Sequence, residues 1–363
     1  MNSLETYLQK RLEKRKETGL LRGIKPSLKG VDFVSNDYLG IAQTPLSISV
    51  TKSRQLRGSR NLVGSSAALT ELEEDFAHFF RTEACMVLPS GYQANLALLL
   101  TVATPKTTIL FDEHVHNSLR RAIQLTGAKA LKIKHNNTAH LKQRLENASG
   151  NTIVICESLY SMHGDFCSIK EWSALCEEHQ AWLWVDEAHT AGWYGKQGRG
   201  VCMENNLDIP LISVGLGKAM GTQGGLILGS KSLMQSVVNF GDPAIYSTAI
   251  SDTHIQELAQ RLEDVKAAQN ERATLLKNIA HYQEKAKHLK GYQHSESPIQ
   301  TVVIGNPEQT TALAKALANE QLNVAAVRYP TVPKGSDLLR MSLHSYNTAQ
   351  EIEHLIKTIE EYV

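Results

Sequence analysis

Lys218 lies in residues 212–230 (ISVGLGKAMGTQGGLILGS), where an apolar, strand-like run delivers one amine into a glycine-rich turn. An amine so placed can form a Schiff base with a carbonyl group. On its own, a lysine between glycines more often decorates a tight turn. Its chemical meaning comes from Asp186, which closes the nearly continuous apolar run 181–188 (AWLWVDEA), with His189 three residues further on. A carboxylate at the end of a buried strand calls for a partner, because burying an unpaired charge is costly. Pyridoxal phosphate chemistry requires both groups. The lysine holds the aldehyde, and the carboxylate sits beside the pyridine nitrogen so that the protonated ring draws electrons from a substrate carbanion.

Two further stretches fit the same chemistry. Ser90, Gly91 and Tyr92 stand between the short apolar run 84–88 and a helix-like stretch, 93–102. Strand, glycine turn and helix start is the geometry that points backbone amides at a phosphate, although it also occurs as a plain turn. In residues 112–118 (DEHVHNS), where a strand passes into the next helix, one of the two histidines is placed to stack on an aromatic ring.

Positioning these residues takes a sheet of βα units. Apolar runs at 108–111, 153–156, 183–185 and 211–214 alternate with helical segments, and the candidate residues fall just past the carboxyl ends of the runs. After Asp252 the texture changes. A long polar helical stretch, 253–289, precedes a strand at 300–304, a helix from Glu308, a strand near 323–327 and a closing helix from Thr348. The expected organisation is an N-terminal arm (1–35) that joins a small α/β domain (253–363), with a large, mainly parallel-sheet α/β domain (36–252) between them.

Composition narrows the partners. In 363 residues, 38 Lys and Arg oppose 37 Asp and Glu, and no basic block interleaves with aromatics, so nucleic acid is not an expected partner. The five cysteines form no CxxC pair and are odd in number, which argues against a disulfide framework and a zinc site and fits a reduced cytoplasm. Leu4, Tyr7, Leu8 and Leu12 recur at helical spacing in a charged N-terminus. This reads as an amphipathic arm packing on its own protein, not an export signal or a membrane element. The longest apolar run, near 96–102, is too short to span a bilayer. His135, His140, His281, His294 and His354 lie in polar surroundings and read as solvent-facing.

The ordered set of motifs resembles the α-oxoamine synthases, pyridoxal-phosphate enzymes of fold type I that condense an amino acid with an acyl thioester and release carbon dioxide. The resemblance runs almost end to end: residues 35–40 (SNDYLG), 58–60 (GSR) with Gly64, 90–92 (SGY), His116, 157–165 (ESLYSMHGD), 186–189 (DEAH), Lys218, 246–248 (YST), and 329–335 (YPTVPKG) followed by Arg340.

That resemblance implies Lys218 as Schiff-base lysine and proton shuttle, Asp186 as partner of the ring nitrogen, and His116 stacked on the ring. His189 and Ser161 are implied near the phenolic oxygen, with Glu157 also in the cofactor set. Ser90 and the amides of Gly91 and Tyr92 are implied on the phosphate. Ser247 and Thr248 are implied to reach it from the neighbouring subunit of a homodimer. Asn36, Thr331 and Arg340 correspond to substrate positions, Arg340 binding the amino acid's carboxylate as a charged fork. The chain departs from the pattern at Gly215, where Thr or Ser usually donates to the phosphate, at His163, which replaces an acidic residue, and at Ile250-Ser251, in place of Pro-Pro.

Arg328, just before the Tyr-Pro-Thr motif, and the ending 341–348 (MSLHSYNT) resemble the biotin-synthesis branch, which implies L-alanine and a pimeloyl thioester carried by coenzyme A or acyl carrier protein. Arg328 is expected to meet the second carboxylate of that acyl chain. Glycine- and serine-using branches share nearly all the motifs. A catalytically silent subunit on the same fold belongs to another class, and such proteins usually lack the lysine or the aspartate retained here.

Overall fold

The computed structural model describes residues 3–18, 21, 23–24, 29–48 and 58–362. Its larger sheet has seven strands, in the order Ala84–Leu88, Gly225–Gly229, Leu211–Gly215, Trp182–Asp186, Thr152–Glu157, Thr108–Asp112 and Lys129–Ile133. Only Gly225–Gly229 opposes its neighbours; the other pairings are parallel. The apolar runs are continuous because both faces of the sheet are buried. Ile109, Phe111, Ile153, Ile155 and Trp184 enter one core, while Leu110, Val154, Cys156, Leu183 and Val185 enter the other. Register then sets the chemistry, since Glu157 stands opposite Asp186 and Asp186 opposite Ser213 at the carboxyl ends.

Lys218 sits in the loop joining Leu211–Gly215 to Gly225–Gly229. Gly221, at φ 69°, seats that loop on the Ile41–Gln43 turn, because a Cβ there would lie 2.6 Å from the Ala42 nitrogen. Thr222 Oγ1 donates to Glu257 Oε1 at 2.6 Å and ties the loop to the Asp252–Ala267 helix.

A four-stranded antiparallel sheet, ordered Ala325–Val327, Leu338–Ser342, Ile299–Val303 and Tyr292–Gln293, holds Arg340 on its second strand. The strand expected near 323–327 is divided. Leu322–Asn323 pairs in parallel with Val31–Asp32, and Asn323 Nδ2 donates to the Lys29 and Val31 carbonyls at 2.7 and 3.1 Å. Ala325–Val327 then joins the antiparallel sheet. The long helical stretch is likewise two helices, Asp252–Ala267 and Gln269–Ala286. Arg272 braces the break, donating to the Val265 carbonyl at 2.7 Å, the same oxygen that accepts from the Ala268 amide at 3.2 Å where the first helix ends.

The N-terminal helix, Leu4–Glu17, corrects an expectation: it buries no residue against its own chain. Eight of its fourteen residues are charged, which leaves the Leu4, Tyr7, Leu8 and Leu12 stripe narrow. All five cysteines are free and buried. Among the described residues, no helix is long and apolar enough to cross a membrane.

Candidate active site

Lys218, Asp186, Glu157, His116, His189, Ser90, Gly91 and Tyr92 all border one cavity of about 220 Å3. These residues, singled out from sequence, are thus brought together although they follow five strand ends far apart along the chain.

Ser90 caps the Gly91–Val102 helix by accepting from the Gln93 amide at 3.2 Å. The Gly91 and Tyr92 residues that follow occupy the first two helical positions, where amides lack intrahelical acceptors and border the cavity. Close packing beneath them requires glycine. A Cβ on Gly225 would lie 2.5 Å from the Gly91 nitrogen, and one on Gly91 would lie 2.9 Å from the Gly215 Cα. A side chain at position 215 would face Ala188 Cβ at 3.3 Å and Lys218 Nζ at 3.7 Å.

Asp186 is buried, yet both oxygens have donors: the Ala188 amide at 2.9 Å and Asn95 Nδ2 at 2.8 Å. Asn95 Nδ2 also donates to Ser118 Oγ at 2.9 Å, while Asn95 Oδ1 is buried without a partner. Glu157 accepts from the His116 amide. Burial, reinforced by the negative charge of Asp186, holds its carboxyl well above the usual range. His116 caps the Asn117–Thr126 helix, its Nδ1 engaged with Ser118 Oγ at 2.8 Å. Burial and Lys218 lower its pKa against the pull of Asp186. His189 is pushed well below its ordinary pKa by burial, then by Lys218 and Arg340, and is therefore a neutral imidazole at pH 7.

Behind the cavity runs a chain of hydrogen bonds that sequence reasoning missed. His189 Nδ1 pairs with the Tyr38 hydroxyl at 2.8 Å, and Tyr38 donates to Asn36 Oδ1 at 3.2 Å. Arg340 Nη2 donates to the same Asn36 oxygen at 3.0 Å, Nε to the Ser161 carbonyl at 2.7 Å and Nη1 to Ser342 Oγ at 3.1 Å. Guanidinium has five N–H donors, so these three contacts leave two. Burial pushes the Tyr38 phenol up to about 12. Tyr38 and Asn95 lay inside motifs read as relevant, but their partners are 151 and 91 residues away.

Other expected residues fall elsewhere. Ser161 and Thr331 line an adjoining cleft that shares His116. Ser247 and Thr248 line a separate cavity of about 190 Å3. Arg328 borders neither the Lys218 cavity nor the adjoining cleft. It lines a third cleft with Lys315, because the split after Asn323 carries it away just past the short Ala325–Val327 strand.

His135 corrects the solvent-facing reading. Its two nitrogens join Asp112 Oδ1 at 2.9 Å and Asp165 Oδ2 at 2.7 Å. Burial alone would lower its pKa, but these two hydrogen bonds outweigh it and hold the group at about 10. A histidine whose pKa is raised by folding stabilises fully below the unfolded value of about 6.5, and that contribution disappears as pH rises through the folded value. Between about pH 6.5 and about pH 10, the Tm of the parent is therefore expected to fall more steeply than that of His135→Gln. Parallel Tm–pH curves would show that the clamp is not charged.

The donor set fits one group. An amine, a buried carboxylate with lone pairs to spare, a flat ring over the cavity and a glycine-lined cradle of free amides suit a small aromatic aldehyde phosphate. The fold and this site together define a pyridoxal-phosphate transferase of fold type I. The profile of the aminotransferase class I and II family matches residues 29–359, and the chain belongs to that family, in its α-oxoamine synthase branch.

It is similar to 8-amino-7-oxononanoate synthase of Stutzerimonas stutzeri, with 33% identity over 91% of this chain and 86% of the relative. With the enzyme of the same name from Thioalkalivibrio sulfidiphilus, identity is 30% over 99% and 97%. Among solved structures, Sphingomonas wittichii serine palmitoyltransferase superposes with a TM-score of 0.90 at 25% identity over 99% of this chain and 98% of that one. The 8-amino-7-oxononanoate synthase of Francisella tularensis gives 0.77 at 26% over 92% and 97%.

Proposed function

We propose that the chain condenses L-alanine with a pimeloyl thioester to give 8-amino-7-oxononanoate for biotin synthesis, releasing carbon dioxide and the thiol. The observation that carries the reaction type is the meeting of Lys218 and Asp186 on one cavity beside a glycine cradle. The choice of substrates is supported by the names of the curated relatives. A second reading, serine palmitoyltransferase chemistry, is favoured by the likeness to the S. wittichii enzyme.

Pyridoxal phosphate, when bound, supplies an aldehyde for an amine and a ring that withdraws electrons from the substrate Cα. Lys218 would hold that aldehyde, and its amine, when free, would take the substrate Cα proton and later return it. Asp186 would hold the ring nitrogen and keep it protonated, with His116 beside the ring. His189, its Nδ1 held by Tyr38, would hold the phenolic-oxygen side. Ser90, Gly91 and Tyr92 would hold the phosphate. Arg340, oriented by Asn36 and the Ser161 carbonyl, spends its two remaining N–H groups on the amino acid's carboxylate, which fixes which Cα bond reacts. Thr331 lines the acyl entry.

Thiol release measured with alanine, glycine and serine against short, dicarboxylic and long acyl thioesters is expected to give its highest kcat/KM for alanine with pimeloyl thioester. A maximum for serine with a long chain would favour the second reading. Because Arg328 stands outside both cavities, Arg328→Leu should change kcat/KM alike for dicarboxylic and monocarboxylic donors of equal length. A loss confined to the dicarboxylic donor would return Arg328 to the acyl path.

Ser247 and Thr248 border no part of their own chain's Lys218 cavity, and we infer that they complete the phosphate site of a second copy. The active unit is then a homodimer, with the boundary between its large and small domains near Asp252. Specific activity is expected to fall as the protein is diluted to monomer, and a fully active monomer contradicts this assembly. Buried free cysteines fit a reducing compartment, and we place the enzyme in the cytoplasm.

A further inference from the structure

Residues 158–168 leave the Thr152–Glu157 strand as a tight hairpin, and this hairpin carries the carbonyl that orients Arg340. Its arms meet at a bridge between Leu159 and Phe166, with the Cys167 amide donating to the Ser158 carbonyl at 3.1 Å and the Tyr160 amide to the Asp165 carbonyl at 3.0 Å. The Gly164 amide closes the tip on the Tyr160 carbonyl at 3.0 Å. Ser161 and Asp165 therefore share one small, closed turn. Where the Asp165 side chain is held, the Ser161 carbonyl is held with it.

The hairpin is fastened on two sides. On one, Arg340 Nε donates to the Ser161 carbonyl at 2.7 Å, and Ser295 Oγ donates to the Gly164 carbonyl at 2.7 Å. On the other stand His135 and Asn136, just past the Lys129–Ile133 strand of the large sheet. His135 Nε2 meets Asp165 Oδ2, while its Nδ1 is anchored on Asp112, which is fully buried at the end of Thr108–Asp112. Asn136 Nδ2 donates to the Phe166 carbonyl at 2.7 Å, and its Oδ1 accepts from the Ser168 amide at 3.0 Å. The Asn136 backbone takes φ 48°, which asparagine tolerates, and its amide donates to Asp112 Oδ2 at 2.7 Å. Among the described residues, the Asp165 carboxylate has no hydrogen-bond partner besides His135, and its Oδ1 is buried without one. Because His135 is held charged, both of its contacts are charge-assisted and stronger than neutral ones.

The hairpin matters for Arg340 because a guanidinium grips a carboxylate as a planar fork. Of the three hydrogen bonds that fix its plane, the one from Nε to Ser161 is the shortest, and the others go to Asn36 and to Ser342 on its own strand. Displacing the Ser161 carbonyl turns the plane and with it the two unengaged N–H groups. His135 itself borders neither the Lys218 cavity nor the adjoining cleft. We propose that His135 is a positioning residue for amino-acid binding: acting through Asp165 and the Ser161 carbonyl, it aims the Arg340 fork at the substrate's carboxylate. The proposal rests on the reading of Arg340 given above and adds a residue remote from both substrate and cofactor.

The test starts without turnover. Cofactor-loaded enzyme is titrated by calorimetry with L-alanine and with L-alaninol, which has the same amine and no carboxylate. His135→Gln and Asp165→Ala should each raise the alanine Kd about tenfold and leave the alaninol Kd unchanged. In turnover, KM for alanine should rise by the same factor while kcat and KM for the thioester stay within about twofold. The double variant should lose no more than either single one, since both break one clamp. Asp165 is partly exposed and its removal leaves the His135–Asp112 pair in place, so Asp165→Ala carries the test even where His135→Gln folds poorly. Leu233→Ala, in the core on the sheet face opposite Leu159 and Cys167, should lower Tm without moving the alanine Kd, which separates aiming from general loss of stability. Arg340→Gln is the reference and should weaken alanine at least as much. If it does while His135→Gln and Asp165→Ala do not, or if these two weaken alanine and alaninol alike, the positioning role falls and the reading of Arg340 stands. If Arg340→Gln leaves alanine binding unchanged, that reading falls and takes the proposal with it. An enzyme that shows the expected alanine pattern yet releases no thiol from any donor would refute acyl transfer and leave the positioning role standing.

Discussion

Lys218→Ala is expected to lower turnover by about four orders of magnitude, because the covalent anchor and the proton shuttle disappear with one amine. Losses of groups that serve two steps do not divide between them, so no partial activity should survive through the remaining residues. The fold should persist. The loop around Lys218 is held by Gly221 packed on Ile41 and Ala42 and by the Thr222–Glu257 hydrogen bond, and neither uses the lysine side chain. Pyridoxal phosphate should still bind through the Gly91–Tyr92 amides and Asp186. Borohydride treatment of the parent should fix the cofactor to the peptide that contains residue 218, and the variant should yield no such adduct. Turnover near the parental rate in Lys218→Ala would end the assignment, whatever the adduct shows.

The parts of this site that were legible in the sequence share one property: each is announced by its own neighbours. Asp186 stands out because an apolar strand runs into it, and Gly91 because a strand stops and a helix starts around it. The parts that were not legible depend on partners far along the chain. Asn95 lies near the start of an apolar helix, and nothing beside it in the chain names Asp186, 91 residues away, as its partner. His135 sits in a polar stretch, KIKHNN, and only the folded chain brings Asp112 and Asp165 to its two nitrogens. Arg328 was read from its place before a motif. A motif fixes sequence distance, but the break at Val324 decides which sheet the following strand joins. The edge strand Lys129–Ile133 was missed for a simpler reason, since only Ile133 is buried and no apolar run marks it.

Asp186→Asn separates structure from chemistry most cleanly, because Asn95 is built to accept it. In the parent, Asn95 Nδ2 donates to Asp186 and Ser118 while its Oδ1 is buried and unpartnered. With an amide at position 186, the Asn95 side chain can turn over. Its oxygen then accepts from the newly introduced amide nitrogen, while the Ala188 amide keeps its acceptor. Folding and cofactor binding should therefore change little. What disappears is the negative charge that keeps a proton on the ring nitrogen, and removal of a preorganised charge at the reacting group costs about a hundredfold or more. The same loss relieves Glu157, whose raised pKa owes part of its shift to Asp186 and should move down toward the ordinary carboxylate range. The measurement is exchange of the alanine Cα hydrogen in heavy water with no thioester present, which reads deprotonation alone. Exchange at the parental rate would mean that Asp186 serves packing and not the ring nitrogen, whereas slowed exchange in a protein of unchanged Tm would tie the carboxylate to the proton step.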